Sequence, residues 1–190
     1  MAWPIRRTAT RLPRRACAAS RPPQAHALAI QWDAVQLAGA LRTIADVDAL
    51  IVELDRFGEL YRAALVERFL WRLGVRPRGA EQDIQLVGSI EQALIGSGIT
   101  IDRFFFDWTG GRLRDDPAPY DHEAFGAFRE RIAGYEPGRS LDHPYWSGEP
   151  CSMHIEEVEA IWAPIAEGDD WSALEAKVAQ VRQMGEALSR

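Results

Sequence analysis

A chain of 190 residues with 47% hydrophobic and 26% charged residues has the composition of one globular domain large enough to bury a core. Two cysteines, Cys17 and Cys151, exclude a disulfide framework or a cysteine-built zinc site and favour a reducing, cytoplasmic setting, and no apolar run reaches the roughly 18 to 20 residues of a membrane-spanning helix. Six of the 22 basic residues stand in residues 1–26 without a single acid, which leaves 16 against 28 acids and a net charge of −12 for residues 27–190, a body that repels polyphosphate backbones and argues against nucleic-acid binding.

Residues 1–28 form a basic leader with Arg6, Arg7, Arg11, Arg14, Arg15 and Arg21, and with four prolines. Such a segment suits an organelle transit peptide, a basic tail for nucleic acid or anionic lipid, or a disordered or misread leader. Its prolines and lack of a helical period favour the last.

From Ala29 to Arg190 the pattern is helical, and the expected fold class is all-α. Ile30, Val35, Leu37, Leu41 and Ile44 mark one face of a first helix. Asp46 is placed to cap a second, whose apolar residues run from Val47 to Leu73 at three-to-four spacing, with Gly58 as a point of bending or division and Gly74 and Pro77 as its end. A third helix carries Ile84, Val87, Ile90 and Leu94 and stops at Gly96–Gly98. Thr100 caps a short aromatic turn, and Asp121 caps a helix with Phe125, Phe128 and Ile132 inside. After an irregular stretch from 135 to 151, Ser152 caps a helix that should kink or end near Ala163, because Pro164 lacks a donor. Ser172 and Glu175 read as a capping box for a last helix with Leu174, Val178, Val181, Met184 and Leu188 inside. The expected core includes Trp32, Leu37, Leu41, Leu54, Phe69, Leu73, Trp162 and Val178.

Chemistry-bearing residues are sparse. His154 and Glu157, three apart on one helical face, have the spacing of a bundle metal site, but such sites need a matching pair from another helix, which His26, His122 and His143 do not supply. Asp115–Asp116 and Asp169–Asp170 are adjacent acids whose side chains diverge, as suits loops and helix starts; Asp121, and Asp142 beside His143, fall under the same judgment. Cys151 precedes a helix start, where a thiolate is favoured, yet no base with an orienting partner accompanies it. Phe104, Phe105, Phe106 and Trp108 suit a core or a docking surface. No catalytic, cofactor-binding or metal-binding residue is assigned.

Three stretches carry a family resemblance: Gln31-Trp32-Asp33 with Leu37-Ala38 and Ala40-Leu41; Arg72-Leu73-Gly74 with Asp83 and Leu86; and Ile165 to Asp169 with Leu174. In order and spacing, over about residues 29 to 190, they resemble the C-terminal helical region of selenoprotein O (YdiU-type) protein adenylyltransferases. Asp33 stands where that family has asparagine, and the family's Asn-Pro…Leu-Arg-Asn signature is replaced by Glu149-Pro150 and Ile155-Glu156-Glu157. The resemblance implies an irregular helical array from a kinase-like fold, which in full-length members uses ATP and magnesium to transfer AMP to protein hydroxyls. The groups that hold ATP there lie N-terminal to the matched region, so the resemblance implies an inactive C-terminal fragment whose partner is the missing kinase-like core. Its abrupt start near Ala29 is what a frame change or a late start would produce. Two alternatives stand beside it: a stand-alone helical interaction module, and a small metal-dependent enzyme using His154 and Glu157.

Overall fold

The computed structural model describes residues 23–114 and 117–189. Within them the chain is all-helical, with α1 (Pro23–Leu41), α2 (Val47–Leu73), α3 (Ala80–Ser97), α4 (Ile101–Asp107), α5 (Gly126–Ile132), α6 (Ile155–Gly168) and α7 (Ser172–Leu188). Short 3-10 turns at Ala118–Tyr120, Glu123–Phe125 and Pro144–Ser147 carry the connections. Extended pairing among the described residues is confined to one isolated antiparallel bridge, Val75 with Pro137. α1 begins at Pro23, inside the last residues assigned to the basic leader; the rest of that leader, with Cys17, and the Asp115–Asp116 pair lie outside the described residues.

Several helix ends follow the expected chemistry. Asp46 adopts an extended backbone and its carboxylate accepts from the Asp48 N–H at 3.2 Å. α2 then runs unbroken through Gly58. Gly74 closes it at φ 62°: its N–H donates to the Trp71 carbonyl at 3.1 Å, and the Val75 N–H reaches the Leu70 carbonyl at 3.2 Å. That is a Schellman motif, and Leu70 and Val75 are both buried in the same cluster. Gly98 ends α3 at φ 69°, and the Thr100 hydroxyl accepts from the Arg103 N–H to start α4.

Other ends differ. His122, not Asp121, caps the segment before α5, its Nδ1 accepting from the Ala124 N–H at 3.1 Å. α6 starts at Ile155 with His154 in the cap position, not at Ser152, because the Cys151 N–H is tied to the Tyr145 hydroxyl at 3.1 Å and holds the chain in the preceding loop. α6 continues through Pro164 to Gly168; the proline removes one bond, and the Ala160 residue whose carbonyl loses its donor is open to water. Ser172 and Glu175 form no capping box. Ser172 is the first residue of α7, and the Asp170 carboxylate accepts from its N–H at 2.9 Å.

The core lies where the C-terminal third of α2 meets α3, α4 and α5. Leu73, Leu86, Ile90, Phe104, Phe125 and Phe128 are fully enclosed there. The rings meet mainly edge to face, as Phe104 does with Phe128 at 5.1 Å and Trp108 with Phe128 at 4.8 Å. Gly111, at φ 75°, fits this junction because a Cβ there would lie 2.9 Å from Val75 Cγ1. A second, smaller cluster joins Phe106 and Trp146 to Ala187 of α7.

The expected core is half right. Phe69 and Leu73 are buried, and Leu41 and Leu54 are half-buried. Trp32 is 63% exposed, Leu37 61%, Trp162 61% and Val178 38%. α1 from Leu28 onward, the first two thirds of α2, and α6 contain no buried residue. Helical periodicity locates an apolar stripe but not whether anything in the same chain covers it.

Candidate functional site

The sequence-derived candidates separate in space. His154 is exposed at the start of α6, and Glu157 turns away from it to Lys177 of α7, the two side chains meeting at 2.5 Å. Lys177 is the only lysine of the chain and is buried. Burial pulls its pKa down, but the hydrogen bond to Glu157 and the nearby Cys151 thiol outweigh this and hold it above the usual lysine value. Among the described residues no three histidine, cysteine or acidic groups converge as metal ligands. Glu157 is therefore an ion-pair partner that pins α6 to α7, and the metal arrangement that its spacing with His154 suggested is not assembled.

The described acidic residues serve the chain's own geometry. Asp169 sits at φ 55° at the end of α6 and accepts from the Trp171 indole N–H at 2.8 Å. The backbone N–H of Ser172 holds the Asp170 carboxyl below its ordinary range. Asp142 accepts from the Ser140 hydroxyl, and His143 is buried with its Nδ1 accepting from the Tyr145 N–H. Asp121 lies 3.8 Å from Arg129 at the surface.

The Phe104–Trp108 run belongs to the interior: Phe104, Phe105, Phe106, Asp107 and Trp108 are all buried. The Asp107 carboxylate accepts from the Tyr120 hydroxyl at 2.7 Å and from Arg103 Nε at 2.9 Å, and Arg103 also pairs with Glu149 at 2.6 Å. Burial, then the bond to Asp107, pushes the Tyr120 phenol far above its ordinary value. Arg114 stacks on Phe106 with its guanidinium 4.3 Å from the ring centre and donates to the Phe106 and Trp146 carbonyls. This network ties α4 to the loops on either side.

Cys151 is half-buried beside two hollows. One, lined by Arg72, Asp102, Phe105, Trp146 and Met184 among others, has about 20 Å³, room for roughly one water. The other is a 250 Å³ cleft between the 144–151 loop and Gln180 and Gln183 of α7. No imidazole accompanies the thiol in either lining, and the group beside it is the buried Lys177, itself paired with Glu157.

The largest of the described hollows was not anticipated. It is a groove of about 370 Å³ between α1, α2 and α3, with Phe57, Tyr61, Leu65 and Val87 as apolar walls and Gln31, Arg62 and Glu91 as polar groups. Each of these residues had been assigned to a helix, but a groove arises from how three helices meet. The traces it left in the sequence were Gly58 and Gly88, two glycines inside helices, and both line it.

No helix among the described residues is long and apolar enough to cross a membrane. Comparison with protein-family models, with curated proteins and with solved structures returns no match.

Proposed function

We propose that this chain is a helical docking region of a selenoprotein O-type protein adenylyltransferase, packing against a kinase-like core and carrying no AMP-transfer site of its own. The observation that supports this most is the exposure of large apolar side chains on faces that the described residues do not cover. Trp32 and Leu37, within the first stretch that carries the family resemblance, both stand out from α1. On α6, Ile155, Val158 and Trp162 are exposed at helical spacing. Apolar surface gathered this way marks an interaction face, and the occupant proposed for it is the kinase-like core. ATP and magnesium belong to that core in the family, and nothing described here converges backbone donors or cations on a polyphosphate.

The test is to mix the full chain with the kinase-like core of a selenoprotein O-type enzyme that lacks its own C-terminal helical region, and to measure association by light scattering. A one-to-one complex, weakened at least about tenfold by Trp32→Asp together with Leu37→Asp, is the expected result. A folded, monomeric chain that does not bind the core would overturn the proposal. Stable capture of a different protein on the same faces would move it to a stand-alone interaction module.

A further inference from the structure

Glu91 is half-buried in the wall of the α1–α2–α3 groove and makes no hydrogen bond or ion pair with any described residue. Burial raises its pKa. Arg62 lines the same groove but forms no ion pair there. Phe57, Tyr61 and Leu65 of α2 and Val87, one turn before Glu91 on α3, form the apolar walls, and the groove's volume of about 370 Å³ falls at the small end of the range for small-molecule sites. Where a Cβ would project from Gly58 or Gly88, nothing lies within 4 Å. A groove with apolar walls and a carboxylate that no cation pairs has a definite complement: an apolar body bearing one positive charge.

We propose that this groove binds a small organic amine, an aromatic or aliphatic body lying along Phe57, Tyr61 and Val87 with its ammonium paired to Glu91. The proposal is independent of the docking assignment above, because it requires neither the exposed face of α6 nor a kinase-like core. Phe57 and Tyr61, stacked on each other at 5.8 Å, give the groove an aromatic wall along which such a body can lie.

The probes are 4-phenylbutylamine, 4-phenylbutan-1-ol and 4-phenylbutyrate, titrated at pH 7 into the full chain while amide resonances of α2 and α3 are followed by NMR. The amine is expected to bind about tenfold tighter than the alcohol, with the carboxylate weakest. Glu91→Gln should bring the amine to the affinity of the alcohol and leave the alcohol unchanged. Glu130→Gln, on the exposed side of α5, removes the same charge far from the groove and should change nothing. Gly88→Leu fills the groove from a helix position that tolerates leucine better than glycine, so it should abolish binding while helicity is retained. Equal affinities for amine and alcohol, equal losses in Glu91→Gln and Glu130→Gln, or full binding by a folded Gly88→Leu variant would each overturn the proposal.

Discussion

Asp83 illustrates how one side chain organises its surroundings. Its carboxylate, buried beneath the start of α3, accepts from the backbone N–H groups of Arg78 and Gly79 at 3.1 and 3.2 Å and from the Tyr135 hydroxyl at 2.8 Å. One acid thereby satisfies donors at the helix entrance and fastens the chain after α5 to α3. Tyr135→Phe should cost about 1 to 2 kcal/mol, and Asp83→Ala about 3 kcal/mol or more, because the latter strands all three donors. Urea denaturation measures both, and values near zero would mean that the network does not hold in solution. A pH effect follows from the same chemistry. Burial, with hydrogen bonds to Asp107 and Asp83, raises the phenol pKa values of Tyr120 and Tyr135, and burial raises that of Tyr145. The folded state therefore keeps protons that the unfolded chain releases above about pH 10, so stability is full below that pH and falls as pH rises through it. Denaturation at pH 8 to 11 should show this fall, and it should be shallower in Tyr120→Phe and Tyr135→Phe; a rise in stability over that range would contradict the assignment.

At the scale of elements, the helices read clearly from the sequence where their ends have local chemistry. Asp46, Gly74, Gly98 and Thr100 act where their residue types say they should, since a carboxylate or hydroxyl at an N-cap and a left-handed glycine at a C-terminus depend on few distant atoms. The failures were those that depend on neighbours. Ser152 was displaced by the tie between Cys151 and Tyr145, and the turn before α7 is held by Asp170 instead of the box that Ser172 and Glu175 suggested. At the close of α6 the left-handed residue is Asp169, not the adjacent Gly168. The groove at Glu91 leaves only Gly58 and Gly88 as traces in the sequence, because it depends on how α1, α2 and α3 come together. α2 itself changes character along its length, and that yields a test. Leu73, fully enclosed, should lose about 2 to 5 kcal/mol on truncation to alanine, whereas half-buried Leu54 should lose about 1 kcal/mol or less. Thermal denaturation of the two variants checks it, and equal losses would place both in one core.

Over the whole molecule, an enclosed aromatic core is flanked by helices whose apolar residues are not covered by other described residues. These uncovered faces are what the proposal rests on, in which the chain docks against an adenylyltransferase core and does not itself transfer AMP. Transfer would need cations or backbone donors fixed on the triphosphate and an acceptor hydroxyl held in line. The body of the chain has a net charge of −12, which opposes a polyanion. The most direct test is a Mg-ATP titration by calorimetry on the full chain and on a version starting at Ala29, paired with a labelled-AMP transfer assay on both. The account predicts no saturable binding by the shorter chain, only salt-sensitive attraction to the arginine-bearing leader in the longer one, and no labelled protein from either. Micromolar binding by the shorter chain, or transfer above background, would contradict it and place a nucleotide site within residues 29–190.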